Sequence, residues 1–390
     1  MEDSDLSKFC CQNERCVAYG SRGAGNLSVC GRIGKRRDIR LLYCRVCRKR
    51  FSERKGTVFY RAHTDPAKVV SILHHVQEGC GMRATGRLLG IKEETVIRYA
   101  KLAPAGTPRS CTGGWWPFPP RTREVQLDEK WSFVGKKQRR CDDEDPDDHH
   151  RGDCWDHVSY DPEHRLVLGV LCGKRSGSRV VQLVRRTHAQ LCGGGGGGRG
   201  GRKPLRLFTT DAFPPYATAI ELSFGNPVRP RPSGQGKPRP PDPPPPRRND
   251  LCYAIVGKRR DGRGRVVGVR EQVVLGTAAS LAAALRRSRV SRTVNTSFVE
   301  RHNATDRHRN ARKRRRTYCF SKDWAVHEAV SHFTLYGYNF CCPVRTLRKR
   351  LRGQPGRRWV PRTPAMAAGL TDHVWTLVEW LGHPVPFNSS

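Results

Sequence analysis

VQLDEKWSFV (residues 125–134) is a β-prone run with a carboxylate, Asp128, in its middle. Two other acidic blocks lie far from it: LFTTDAF (207–213), where Asp211 follows an apolar run, and TSFVERHN (296–303), where Glu300 opens a helical pattern. Acids in three such different local settings converge only in a folded core. Carboxylates are hard oxygen ligands, and a two-metal phosphoryl-transfer site uses them to clamp cations about 3.5–4 Å apart. The pattern therefore points first to an enzyme that cuts nucleic acid. Strand alternation puts Gln126, Asp128 and Lys130 on one face and Leu127, Glu129, Trp131 and Phe133 on the other, which leaves Glu129 among apolar residues. Alternation alone does not choose between Asp128 and Glu129.

Outward from this run, WDHVSYD (155–161) and HRLVLGVL (164–171) read as adjacent strands, and SRVVQLVRRTHAQL (178–191) reads as a helix. LRLFTT (205–210) is the strand that ends at Asp211, and ATAIELSF (217–224) is helical after it. CYAIVGK and GRVVGVREQVVLG are β-like runs split by the turn RRDGRG, and TAASLAAALRRS is helix-like. A glycine run at 193–201 is a flexible connector. The Pro/Arg-rich stretch at 226–250 is an extended insertion, because proline lacks the backbone donor that a sheet or helix interior needs. The run TSFVERHNATDRHRNARKRRR reads as one helix with Arg307 two turns beyond Glu300 on the same face, so that a cation for phosphate joins a carboxylate for metal. Arg309, Arg312, Lys313, Arg314, Arg315 and Arg316 extend this cationic surface, which repels itself unless a polyanion covers it.

Composition agrees. Lys and Arg outnumber Asp and Glu by 73 to 35 in 390 residues, a formal charge of +38 that implies a polyanionic partner. No long apolar segment suits a membrane, and the acidic start MEDSDLSKF is unlike a secretory leader, so a disulfide framework is not expected from the 16 cysteines. Six of them fall in the first 47 residues, and Cys11-x4-Cys16 with Cys44-x2-Cys47 offers four thiolates as two knuckles for tetrahedral Zn²⁺, with Cys10 able to replace Cys11. DPAKVVSILHHVQEG and MRATGRLLGIKEETVIRYAKLA then read as a helix-turn-helix. Gly90 makes the turn, Val96 and Ala100 face the core, and Lys92, Thr95 and Arg98 are left to meet DNA. The acidic stretch 141–153 is a charged loop without apolar anchors and a poor holder of ligands, although Asp153 and Asp156 lie nearer the next strand.

The succession Cys-x4-Cys, Cys-x2-Cys, helix-turn-helix, LDEKWSFVGKK, TTDAFPPY and NTSFVERHNATDRHRNARKRRRTYCFSKDW resembles transposases of the insertion-sequence-one type, which are bacterial and archaeal DDE transposases. The resemblance spans nearly the whole chain, and the Glu300 block is its most specific part. It implies an α/β fold: a ribonuclease-H-like catalytic core, a mixed sheet flanked by helices, preceded by a small zinc-ribbon-like unit and a helical helix-turn-helix domain. It implies Asp128, rather than Glu129, with Asp211 and Glu300 as the acids that bind Mg²⁺ or Mn²⁺, Arg307 as the basic residue that follows, and Cys11, Cys16, Cys44 and Cys47 as zinc ligands. The expected layout is a zinc-binding unit at 1–60, helix-turn-helix at 61–103, linker at 104–121, catalytic domain at 122–345, and a basic tether with a C-terminal helix at 346–390. The expected partners are double-stranded DNA, as terminal inverted repeats and target, and further copies of the chain, in a prokaryotic, nucleoid-associated cytoplasmic setting. The alternative is a non-catalytic DNA-binding repressor derived from such an element.

Overall fold

The computed structural model describes residues 5–103, 121–192, 206–224, 251–351 and 358–386. The glycine run, the Pro/Arg-rich insertion and all of the linker but Arg121 lie outside these residues. A three-stranded antiparallel sheet, β1 (Leu27–Ile33), β2 (Ile39–Cys44) and β3 (Arg50–Ser52), opens the chain. Three helices follow: α1 (Pro66–Gln77), α2 (Met82–Leu89) and α3 (Glu93–Leu102). The turn between α2 and α3 is made by Gly90 at φ 61°, a left-handed conformation that costs glycine little, as a helix-turn-helix requires.

The central sheet contains β4 (Glu124–Val134), β5 (Gly152–Asp161), β6 (Leu166–Gly173), β7 (Arg206–Asp211), β8 (Leu251–Arg260) and β9 (Val266–Leu275). Their spatial order is β6-β5-β4-β7-β8-β9. The meander β4-β5-β6 is antiparallel, β7 and β8 run parallel to β4, and β9 closes the edge antiparallel to β8. Helix α4 (Gly177–Cys192) links β6 to β7, and α5 (Pro215–Phe224) follows β7. Both pack their apolar residues on Val125, Leu127, Leu168 and Phe208 of one sheet face. Helix α6 (Ala278–Arg287) covers β7 and β8 through Leu281 and Ala284. Helices α7 (Ser297–Arg309) and α8 (Trp324–Cys341) lie on the face that carries Val158, Tyr160, Val167 and Val170. This mixed sheet with helices on both faces is consistent with a ribonuclease-H-like core, as the resemblance implied.

Helix α7 has almost no apolar stripe. It buries Val299, His302, Asn303 and Asp306, three of them polar. It is held instead by side chains from one face of β4. The Gln126 Oε1 accepts hydrogen bonds from the Phe298 and Val299 amides at 3.1 and 3.0 Å, satisfying first-turn donors that the Thr296 side chain leaves open. Asn303 Nδ2 donates to Asp128 Oδ2 at 2.8 Å, and Lys130 Nζ pairs with Asp306. Alternate residues of the strand thus meet successive turns of the helix.

The Lys130 end of this ladder is a buried ion cluster. Lys313 Nζ lies 2.5 Å from Asp156 Oδ2 and 3.2 Å from Asp306 Oδ2, Lys130 Nζ lies 3.4 Å from Asp156, and Thr334 Oγ1 donates to Asp306. Burial alone would push both carboxylates up, but the two lysines hold both below the usual aspartate range. The long helix expected through the Arg-rich run does not form. Asn310 ends α7 in extended backbone, its side chain accepts from the Arg312 amide, and a single 3-10 turn at Ala311–Lys313 swings Lys313 inward.

The helical unit shares its core with the central sheet and the helices packed on it. Val96, Tyr99 and Ala100 of α3 belong to the same apolar cluster as Val326, Val330 and Phe333 of α8. Gly79, at φ 80°, brings the end of α1 so close to α7 that a Cβ would stand 3.0 Å from the Arg309 carbonyl. Arg309 crosses this seam to Glu78 at 2.7 Å, so it belongs to the interior of the molecule more than to the basic surface. The expected single C-terminal helix is instead two short ones, α9 (Pro364–Ala367) and α10 (Leu377–Gly382), separated by a stretch containing Gly369 at φ 74°. Trp380 of α10 is fully buried and stacks on Phe340 of α8. Beyond it, the Val385 amide donates to the Gly56 carbonyl, tying the tail to the N-terminal unit.

Removing one partner from the buried cluster strands a charge, so Asp306→Ala is expected to cost about 3–5 kcal/mol in urea unfolding. Breaking the exposed Arg83–Glu93 pair by Arg83→Ala should change stability by about 0–1 kcal/mol.

Candidate active site and metal centre

The structure puts Asp128 in mid-β4, Asp211 at the end of β7 and Glu300 in the first turn of α7. Parallel pairing of β4 with β7 sets the two aspartates side by side on neighbouring strands, and the β4–α7 ladder brings Glu300 over them. They interact through their charges: burial, with Glu129, Asp211 and Glu300 close by, pushes the Asp128 carboxyl up to about 7 against the stabilising bond from Asn303. Asp211 and Glu300 are the more open acids; Asp211 Oδ1 accepts from the Phe213 amide at 3.2 Å, and Glu300 Oε1 from the Thr296 hydroxyl at 2.8 Å. The three do not bring their ligand atoms within 4.8 Å of one another.

Glu129 faces the other side of β4, as alternation requires. Its side chain is 1% exposed, with Oε2 held by Arg175 Nη2 at 2.9 Å and Nε at 3.2 Å. The Tyr216 hydroxyl of α5 also faces this carboxylate. Among the expected apolar neighbours it therefore has one arginine, contributed by the KRSGSR turn between β6 and α4, a segment with no pattern to announce it. Arg307 is half-buried beside Asp128 and Arg315; burial and Arg315 lower its pKa, while Asp128 opposes them.

The expected DNA-facing residues divide. Lys92 and Arg98 are exposed on α3 and its N-cap, and Thr95 is half-buried beside them. Arg314 and Arg315 are exposed, and Arg312 is half-buried, with its pKa brought down to about 10 by burial. Lys313 is a correction. Its ammonium is fully buried between Asp156 and Asp306 and is not available to a phosphate. The acidic loop is pinned by buried Asp148, which pairs with Lys136 and Arg151, and Asp153 accepts from the Gln138 amide.

Among the described residues, two sets of side chains converge as metal ligands do: Cys11, Cys16, Cys44 and Cys47, and Cys154, Asp156 and His327. In the first, Cys11 Sγ lies 3.7 Å from Cys47 Sγ, close to the edge of a tetrahedron with bonds of about 2.3 Å. Asn26 Nδ2 and the Ala18 amide donate to Cys44 and Cys16, and hydrogen bonds outweigh burial to bring Cys47 down to about 7. This unit is zinc-ribbon-like. Cys10 turns away, accepting from Gln12. In the second set Asp156 already meets both lysines, which also pair with Asp306, and burial lowers the His327 pKa.

No family model matches this chain, and no curated protein does. Two solved structures with a weak, partial likeness to this chain are the Mos1 transposase paired-end complex with left transposon end and the Mos1 mariner paired-end complex with Mn. The identities are 15% and 14%, the TM-scores 0.18 and 0.17, and each match covers 42% of this chain and 56% of the other. Superpositions this loose say nothing of chemistry. The assignment of the core rests on the strand order.

In the metal-free protein the raised Asp128 pKa means that the folded state holds its proton more tightly than the unfolded chain. Stability should therefore fall as pH rises from the ordinary aspartate range through about 7. Asp128→Asn is expected to melt higher than wild type at about pH 8, with the gap closing near about pH 4, in chelator-treated samples followed by circular dichroism.

Substituting Cys44 by Ser should remove stoichiometric metal from purified protein by elemental analysis and loosen residues 5–52, read as faster amide exchange there than in the central sheet.

Proposed function

We propose that this chain is a DDE-type DNA transposase of the insertion-sequence-one kind, which binds the terminal inverted repeats of its element and cleaves and joins DNA strands. The observation that supports the reading is the placement of Asp128 in mid-β4, Asp211 at the end of the neighbouring β7 and Glu300 in the first turn of α7, which Asn303 and Gln126 tie to β4, on a ribonuclease-H-like core. Asp128, Asp211 and Glu300 would hold Mg²⁺ or Mn²⁺, which when bound would activate the attacking oxygen and stabilise the leaving one. Cys11, Cys16, Cys44 and Cys47 would hold Zn²⁺ in a structural site without an open position.

The residues of the chain supply the rest. Asn303 orients Asp128 through its 2.8 Å hydrogen bond, Gln126 fixes the start of α7 and so the position of Glu300, and Arg307 sets a cation beside the acids where a phosphodiester would lie. Lys92, Thr95 and Arg98 would meet DNA in the major groove, and Arg312, Arg314 and Arg315 would contact its backbone. Joining two element ends in concert requires more than one copy of the chain. The buried half of Arg312 gives it less reach than its two neighbours.

The test uses labelled duplex DNA carrying the element's own ends. Wild type is expected to cleave and join it with Mg²⁺, and Glu300→Gln to lose at least about 1000-fold in rate with end-DNA affinity unchanged within about twofold. Sequence-specific binding without chemistry in both proteins would favour the non-catalytic repressor.

A further inference from the structure

We propose that Arg175 is a phosphate-binding residue of this active site, held in readiness by Glu129 and paired with Asp211 until that carboxylate is taken up as a metal ligand. The inference deepens the function proposed above and rests on it. Three observations converge. First, the guanidinium is anchored at one end: Nε and Nη2 both bond Glu129 Oε2, and the Glu129 side chain is 1% exposed. Second, the same Nη2 lies 3.6 Å from Asp211 Oδ2, so the arginine already borders one of the three site acids. Third, its plane is packed, with its centre 4.1 Å from the Phe213 ring and 5.0 Å from Trp155, while a third of the side chain stays open to solvent.

This arrangement leaves Nη1 without a hydrogen-bond partner among the described residues, on a side chain that keeps a third of its surface open to solvent. A guanidinium is a planar fork that matches two phosphate oxygens, and one whose base is fixed loses little freedom when it binds them. A buried Glu129 serves that purpose better than an exposed acid, because its field is not screened by water. Glu129 is then the arginine's anchor and not a metal ligand, and the two adjacent acids of DEKW have separate tasks on opposite faces of β4. In the metal-free protein the 3.6 Å contact also sets Arg175 in competition with any cation for Asp211. Phe213 keeps both partners in register, since its amide bonds Asp211 Oδ1 while its ring supports the guanidinium.

Arg175→Gln alone strands the buried Glu129, so the informative variant neutralises both partners, Glu129→Gln with Arg175→Gln, beside Arg175→Lys, which keeps the charge and loses the fork. Thermal melting establishes that each is folded. Mn²⁺ binding to DNA-free protein, read by electron paramagnetic resonance, and Mn²⁺-dependent cleavage of end DNA are then measured on each. The double variant is expected to bind Mn²⁺ at least as tightly as wild type and to cleave at least about 100-fold more slowly at saturating metal, with Arg175→Lys intermediate in rate. A double variant that cleaves at the wild-type rate would show that Arg175 only neutralises Glu129 and would overturn the proposal. Mn²⁺ affinity that falls together with cleavage would make Glu129 a ligand and overturn it as well. A wild type that binds Mn²⁺ but never cuts DNA would instead sink the function on which the proposal stands.

Discussion

The contact on which the remainder of this molecule depends is the polar ladder between β4 and α7. Gln126, Asp128 and Lys130 share one face of a strand, and they meet the first-turn amides, Asn303 and Asp306 of a helix that has little apolar surface to bury. A helix held by hydrophobic burial can slide or rotate by fractions of a turn at small cost, because the hydrophobic effect has no direction. Hydrogen bonds and ion pairs in a low-dielectric interior are directional, and each unmade one costs about 1–3 kcal/mol. The ladder therefore fixes both the depth and the rotation of α7. With them it fixes where Glu300 stands relative to Asp128.

Much of this was legible beforehand. The alternation of VQLDEKW sorts its residues onto the faces they occupy, the apolar run ending in TTD delivers Asp211 at a strand end, and Gly90 stands where the turn between α2 and α3 needs a left-handed residue. What escaped the sequence is what depends on distant partners. Lys130 finds Asp306 across 176 residues, and no periodicity announces such a pair. Glu129 looked misplaced on an apolar face because its arginine comes from an irregular turn.

The Arg-rich run shows the opposite error, in which a uniform composition suggested a uniform structure. Asn310 ends the helix by bonding the backbone two residues on, the competition with helical hydrogen bonds that short polar side chains offer. One residue type in a string of cations then decides which of its neighbours face outward: Arg314 and Arg315 do, while Lys313 becomes a strut of the core. Similarly, the C-terminal stretch read as a single helix is broken near Gly369, yet its Trp380 is among the largest fully buried side chains of the described residues.

The apolar cluster shared by α3 and α8 has a wider meaning for the proposed function. A reading head joined to its blade by a slack tether can cut over a range of positions, and its precision must come from elsewhere. Here Val96, Tyr99 and Ala100 are interleaved with Val326, Val330 and Phe333, and the seam is stitched again by Arg309 to Glu78 and by Lys101 to Asp323. Under the proposed function, the span from recognised base to severed bond would be a dimension of the protein itself, and the molecule would act as its own calliper along the double helix.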